Sequence, residues 1–268
     1  MIKKAVIPAA GYGTRSLPVT KSVPKEMFPV GNKPAIQLIV EEAVAAGIEE
    51  ILIVLSRQKN MIVDYFDRSL ELETFLDHAN KRDLLPKVEP PNVTIQYIRQ
   101  PYAKGLGDAV LLAKQFAGNE PFAILLPDDI ILNQTQPGIA QLINNFEQKK
   151  GSVVGLLEVE QQYLHKYGVI DGEKIDEQVY RIKDMVEKPK HNPPSNKAVI
   201  GRYVFDPSIF SYLGKVKPGA GNEIQLTDAV KAMLHDYPCY GTLIDGKRYD
   251  IGSHAEYLQL NNELFDEK

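Results

Sequence analysis

Short apolar runs alternate with stretches of helical periodicity along residues 1–150, and few architectures satisfy that rhythm. The runs "KKAVIPA", "EILIVLS", "VTIQYI" and "PFAILLP" read as strands, the last of them wholly apolar. Between them, "PAIQLIVEEAVAAG" sets Ile36, Ile39, Val40, Ala43 and Val44 on one helical stripe, with Pro34 at its start and Gly47 at its end. Residues 59–67 read as helix. "GDAVLLAKQFAG" aligns Ala109, Leu112, Ala113 and Phe116. "QPGIAQLINNFEQKKG" opens near Pro137 and closes with Lys149 and Lys150 in its last turn and Gly151 after it. An alternation of this length predicts a largely parallel sheet with helices on both faces and right-handed connections.

An insertion at 68–92 carries a further amphipathic helix, "LELETFLDHA", with Leu72, Phe75, Leu76 and Ala79 on one face. Proline-rich "LLPKVEPPN" ends it. Beyond residue 150 the chain becomes β-rich. "GSVVGLLEV" is a strand, and "YGVIDGEKI" with "VYRIKDMVEKP" reads as a hairpin whose turn is Asp171-Gly172. "AVIGRYVF" and "CYGTLID" are strands, and "IQLTDAVKAMLH" and "HAEYLQLNNELF" are helices. No repeat or linker interrupts the chain, so residues 1–268 are expected to form one domain.

Composition narrows the function classes. A net charge of −4 argues against broad binding of nucleic acid or anionic membrane. The lone Cys239 excludes an intrachain disulfide and a cysteine metal cluster. No apolar run approaches the roughly 20 residues of a membrane span. Lys3 and Lys4 before "AVIPAA" do not make a signal peptide, because the apolar part is short and contains Pro8. A soluble cytoplasmic protein is expected.

The chemistry begins in "AAGYGTRSLPVTKSVPKEMFP", residues 9–29, which follows the first strand. In an open parallel sheet, ligands bind beyond the carboxyl ends of the strands. Gly11 and Gly13 let backbone N–H groups approach a ligand, Arg15, Lys21 and Lys25 add positive charge, and Pro18, Pro24 and Pro29 restrict the chain. Ser16 stands where a nicotinamide-dinucleotide fingerprint needs its third glycine, so an oxidoreductase reading fails there. The loop reads as a phosphate binder of another kind.

That loop resembles the signature of bacterial UTP–glucose-1-phosphate uridylyltransferases, members of the sugar-nucleotidyltransferase superfamily. The resemblance continues through "DYFDRSLELE", "YIRQ", "GLGDAV", "LLPDDI", "YGVI", "VEKP", "IGRYVF", "NEIQLTDAV" and "RYDIG", and covers nearly the whole chain. It implies a Rossmann-like three-layer α/β/α nucleotidyltransferase fold, with a mixed, mostly parallel central sheet and a β-rich elaboration in the second half. Residues 1–150 would be mainly the nucleotide half and 151–268 mainly the sugar-phosphate half. The implied reaction is glucose 1-phosphate plus UTP giving UDP-glucose and pyrophosphate.

By the same resemblance, Ala10, Gly11, Gly13 and Thr14 meet the nucleoside and phosphates. Arg15 and Lys25 balance the triphosphate charge. Glu26 and Gln100 lie near the uracil, and Gly105 lets the backbone approach the base or ribose. Gly168, Glu187 and Gly201 serve the sugar, while Lys188 grips its phosphate. Asp128 and Asp250 are the implied Mg²⁺ ligands, and Mg²⁺ suits them because it takes few protein oxygens and keeps waters and phosphates. Asp129 is expected to point elsewhere, since neighbouring side chains on an extended segment diverge. The five histidines lack metal-ligand spacing. Relatives of this kind form dimers and tetramers, so a homo-oligomer is implied, with the 69–85 helix and the C-terminal helix as contacts.

One residue departs from the pattern. The family commonly has "GLGHA" where this chain has "GLGDA", with Asp108 in place of histidine. That leaves open a thymidylyltransferase or dual UTP/dTTP enzyme, and beside them a catalytically weak regulatory paralogue that binds nucleotide sugar.

Overall fold

The computed structural model describes residues 1–133 and 135–266. The chain opens with β1 (Lys4–Ala9), crosses a long loop to the paired strands β2 (Pro29–Val30) and β3 (Lys33–Pro34), and enters α1 (Ala35–Ala45). Then follow β4 (Glu50–Leu55), α2 (Asn60–Phe66), α3 (Leu70–His78) and β5 (Thr94–Arg99). Helices α4 (Leu106–Leu111) and α5 (Lys114–Ala117) lead to β6 (Phe122–Leu125), a short β7 (Asp129–Leu132) and α6 (Gly138–Lys149). The second half begins with β8 (Ser152–Glu158), β9 (Gly168–Lys174), β10 (Val179–Glu187) and β11 (Lys197–Phe205). It ends with α7 (Ile209–Leu213), α8 (Leu226–Met233), β12 (Cys239–Leu243), β13 (Lys247–Asp250) and α9 (His254–Asp266).

The main sheet has the order β5-β4-β1-β6-β11-β8-β12-β10-β9. β5, β4, β1 and β6 are mutually parallel, as the alternation predicts. β11 enters antiparallel to both β6 and β8, and the sheet is mixed from there on. Period-two alternation along β1 divides the core. Ala5, Ile7 and Ala9 pack with Ile36 and Ile39 of α1, Ile62 of α2 and Leu142 of α6. Val6 faces the other way, toward Val110 of α4, Phe210 of α7 and Met233 of α8. Helices therefore cover both faces, in three layers. Each buried valine or isoleucine in these layers contributes about 1.5–3 kcal/mol over exposure.

The structure departs from the sequence reading in three places. Asp171-Gly172 is not a turn. Both lie inside β9, where Asp171 pairs with Asp184 and Gly172 with Ile182 across a bulge. A Cβ on Gly172 would stand 3.2 Å from Arg181 O, so this glycine serves a close backbone approach. The chain reverses later, and Ile175 N–H donates to Val179 O at 2.9 Å. Second, the single helix expected over "GDAVLLAKQFAG" is two. Ala113 N–H bonds to Val110 O, three residues back, which tightens the backbone between α4 and α5 while Ala109, Ala113 and Ala117 keep one buried face. Third, α3 forms but buries only Leu76. Phe75 is 60% exposed and Leu72 41%.

The sequence reading also lacked β7 and β13. They pair antiparallel in a small sheet of their own, and that pairing builds the site described next.

Candidate active site

The carboxyl ends of β1, β4 and β5 lie in one row, with Ala9, Leu55 and Arg99 in register. The loops beyond them, and the one after β6, form one rim of the molecule. Asp128 follows β6 on this rim. Asp250 arrives at the same place from the far end of the chain, because β13 sets Asp250 opposite Asp129. Ile251 N–H then donates to Asp128 O at 2.9 Å, which closes the join.

The two carboxylates share the basic loop. Lys25 Nζ donates to Asp128 Oδ2 at 2.5 Å. Arg15 donates to Asp250 Oδ2 at 2.7 Å and stands 3.8 Å from Asp128 Oδ2. Burial alone would raise the Asp128 pKa. The Lys25 ammonium and the Arg15 guanidinium outweigh it and hold the carboxyl below its ordinary range. Burial likewise opposes the charge on Lys25, and Asp128 with Glu26 raises its pKa in spite of it. Ser16, in place of the third glycine, is buried within this loop.

Behind the carboxylates, further ion pairs hold the segment in place. Asp129 points away from Asp128's partners, as expected. Its Oδ2 accepts the Gly201 N–H at 2.7 Å, and its Oδ1 pairs with Arg248. The Arg248 guanidinium sits over the Tyr167 ring and donates to Tyr167 Oη at 3.1 Å. Arg202 is fully buried. It forks onto both Glu42 oxygens at 2.8 and 2.6 Å and donates to Asp129 O and Gly201 O at 2.8 and 2.9 Å. Glu42 Oε1 also accepts the Ile139 N–H at the start of α6. One buried pair thus ties α1, α6 and β11 to the segment that carries Asp128.

Asp128, Asp250 and Arg15 open onto a cleft of about 820 Å³, also lined by Gly168, Glu187, Lys188 and Gly201. These residues come from separate strands, and the cleft brings them together. Gly168 and Glu187 pair across β9 and β10. Thr227 of α8 donates to Glu187 Oε2 at 2.7 Å, which aims that carboxylate. Lys188 holds φ at 45°, in the left-handed region, and its N–H donates to Tyr167 O at 2.9 Å. Pro189 follows it and disfavours the ordinary helical region at residue 188. A strained lysine on a cleft wall is the kind of outlier that function tolerates.

Gly201 has a packing reason as well. A Cβ there would stand 2.6 Å from Leu126 Cβ and 2.8 Å from Asp129 Oδ2. Gly201→Ala is therefore expected to break the Asp129 contact and destabilise the protein by about 1–3 kcal/mol. Urea unfolding measures this, and an unchanged midpoint would show that the strand yields without cost.

The remaining sequence-predicted residues lie outside that cleft, along the rim beyond β1, β4 and β5. Ala10 is buried, Gly13 holds φ at 67°, and Thr14 opens a short turn after it. Among the described residues, no atom beyond its chain neighbours lies within 4 Å of a Cβ built on Gly11, so packing does not require glycine there. Glu26 is buried against Lys59, whose Nζ lies 2.5 Å from Glu26 Oε2. Burial lowers the Lys59 pKa, against the pull of Glu26. Gln100 is buried, and its Nε2 donates to Asp108 Oδ2 at 2.7 Å and to Gly105 O at 3.3 Å. Gly105 holds φ at 105°, and a side chain there would meet Ile224 O at 2.7 Å.

Sequence reasoning missed Lys59, Arg248, Tyr167 and the Arg202–Glu42 pair. Two signals were present. Lys59 follows a strand of the parallel set, and Arg202 is a lone cation inside an apolar strand, which requires a buried partner.

A family profile described as nucleotidyl transferase matches residues 4–267. The chain belongs to that family. A relative from Bacillus subtilis (strain 168) is 56% identical over 260 residues, covering 97% of this chain and 96% of its own. The UTP–glucose-1-phosphate uridylyltransferase of Staphylococcus haemolyticus is 51% identical over 98% of this chain and 92% of its own. A solved structure of UDP-glucose pyrophosphorylase complexed with UDP-glucose superposes with a TM-score of 0.89 at 44% identity, over the whole of both chains. The mixed sheet is that of a nucleotidyl transferase. No helix among the described residues is long and apolar enough to cross a membrane.

Proposed function

We propose that this chain transfers a uridylyl group from UTP to glucose 1-phosphate, releasing pyrophosphate and giving UDP-glucose. One observation carries the reading. Asp128 and Asp250, paired with Lys25 and Arg15 from a distant part of the sequence, come together at a cleft that Glu187 and Lys188 also line. The similarity to uridylyltransferases along nearly the full length supports the choice of substrates.

The sugar phosphate is itself the nucleophile. Its second pKa lies near 6, so it is ionised at neutral pH and needs no activated serine, cysteine or histidine. The difficulty is to bring two polyanions together and to stabilise spread charge. Lys188 holds the sugar phosphate, and Glu187, fixed by Thr227, takes sugar hydroxyls. Arg15 and Lys25 now neutralise Asp250 and Asp128. With substrate present they turn to the triphosphate and the departing pyrophosphate. Backbone N–H groups of Gly11 and Gly13 cradle the phosphates, with Ala10 and Thr14 beside them. Glu26, Gln100 and Gly105 face the base.

The carboxylate pair fits Mg²⁺. Among the described residues no group of three or more acidic, histidine or cysteine side chains could hold a metal, whereas Asp128 and Asp250 offer the few hard oxygens this ion takes from protein. When bound, it supplies charge neutralisation at the phosphate oxygens. The homo-oligomer expected from the sequence finds support in the exposed apolar side chains Leu72 and Phe75 of α3 and Leu258 and Phe265 of α9.

Purified protein given glucose 1-phosphate, Mg²⁺ and each nucleoside triphosphate in turn tests the reading. Pyrophosphate release is expected to be most efficient with UTP. Greater efficiency with dTTP would favour a thymidylyltransferase, and no release with any triphosphate would leave the regulatory reading. The presence of Lys25, Asp128, Lys188 and Asp250 together speaks against a dead site.

A further inference from the structure

Asp108, the residue that departs from the family pattern, sits within the nucleotide half and touches Gln100. A glutamine carboxamide presents a donor on one side and an acceptor on the other, and the surroundings decide which way it faces. Gln100 has little freedom. Its Nε2 meets two groups, Asp108 Oδ2 at 2.7 Å and Gly105 O at 3.3 Å. A carboxylate and a peptide carbonyl only accept, so the NH₂ must face both of them. Turning the amide over would set its oxygen against two acceptors.

The consequence falls on Oε1. It makes no hydrogen bond with any described group, yet it is not among the buried polar atoms sealed without a partner. The amide is anchored by its nitrogen and offers its oxygen outward. It does so on the rim that carries the phosphate loop, because Ala9, Leu55 and Arg99 share one rung of the parallel sheet. Two strand spacings, about 10 Å in all, separate the start of that loop from Gln100.

We propose that Asp108 is a positioning residue for base selection: it locks the Gln100 carboxamide so that Oε1 accepts the ring N3–H of the base. Uracil and thymine carry that proton. Cytosine carries a bare nitrogen lone pair at the same position, which Oε1 repels. The site therefore admits imide-type pyrimidines and rejects cytosine, and it does not separate UTP from dTTP through this contact. The inference rests on the uridylyltransferase reading, and deepens it.

The test compares kcat/KM for UTP, dTTP and CTP with glucose 1-phosphate, by pyrophosphate release, in the wild type and in Asp108→Asn and Asp108→Leu. Asparagine keeps the shape but can donate as well as accept, so both orientations of Gln100 become possible. Leucine removes the carboxylate and leaves only the longer contact to Gly105 O at 3.3 Å to orient the amide. The UTP:CTP ratio is expected to fall about tenfold or more in Asp108→Leu and by a smaller factor in Asp108→Asn, with CTP turnover rising, on the scale of one mispaired hydrogen bond. The UTP:dTTP ratio should stay unchanged in both. A merely structural role would lower all three substrates together and leave both ratios alone, and that result overturns the proposal. If Asp108→Leu does not fold, the near-isosteric Asp108→Asn decides: a UTP:CTP ratio equal to wild type overturns it. A wild type inactive with UTP takes down the functional reading and this inference together. A wild type active with UTP whose variants keep the ratio takes down this inference alone.

Discussion

Asp128→Asn is expected to lower turnover by about a hundred- to a thousandfold while the protein remains folded. The substitution keeps size and shape and removes only the charge. That charge is what the site is built around. Lys25 and Arg15 both turn toward it, at 2.5 and 3.8 Å, and Asp250 is brought alongside by β13. Loss of a preorganised electrostatic partner costs about 10²–10³ in rate in a water-poor site. Loss of half of the proposed two-carboxylate cation site adds to it. The largely buried Lys25 ammonium would also lose its partner, so a modest fall in stability, about 1–3 kcal/mol, should accompany the kinetic effect. Steady-state pyrophosphate release at several Mg²⁺ concentrations, with a thermal melt of each sample, separates the two. Turnover within tenfold of wild type in a folded variant would remove Asp128 from its assigned role.

Arg202→Leu should produce the largest loss of stability, about 3–5 kcal/mol, because it strands the Glu42 carboxylate in the interior. Arg202 is sealed from solvent, and Glu42 accepts from both its guanidinium and the Ile139 N–H. Removing both charges is a different experiment. The double variant Arg202→Leu, Glu42→Leu leaves no unpaired charge and is expected to recover much of the loss. Urea unfolding of the two single variants and the double variant forms the cycle. A single-variant loss below about 1 kcal/mol would mean that water reaches Glu42 and the Arg202–Glu42 pair contributes little.

These expectations could not have come from the sequence, and the reason is physical. The first half of the fold was legible because strands such as Phe122–Leu125 are buried on both faces and α1 carries a full apolar stripe. The second half was legible as strands but not in its reversal, since Gly172 lies inside β9 opposite a bulge of β10 rather than in a turn. For the site, motif resemblance named Asp128, Asp250, Arg15 and Lys188, and one cleft holds them all. What motifs do not carry is the partner of each charge. Arg15 and Asp250 are 235 positions apart, and Glu42 and Arg202 are 160 apart. The device that joins the former, β7 with β13, is four residues long on each side, too short for a periodicity to register.

That small sheet also sets an order of events during synthesis. The β-α units of the first half can pair as they leave the ribosome, since each parallel strand finds a neighbour made before it. Asp128 is then in place and has only cations for company. Its companion carboxylate is more than a hundred residues away in the nascent chain, and β7 waits without a mate until Lys247–Asp250 emerges. The site is therefore completed only once Asp250 has been made, by the strand that stitches the late segment onto the early one. A chain stopped before that strand would hold Lys25, Asp128, Glu187 and Lys188, yet lack Asp250.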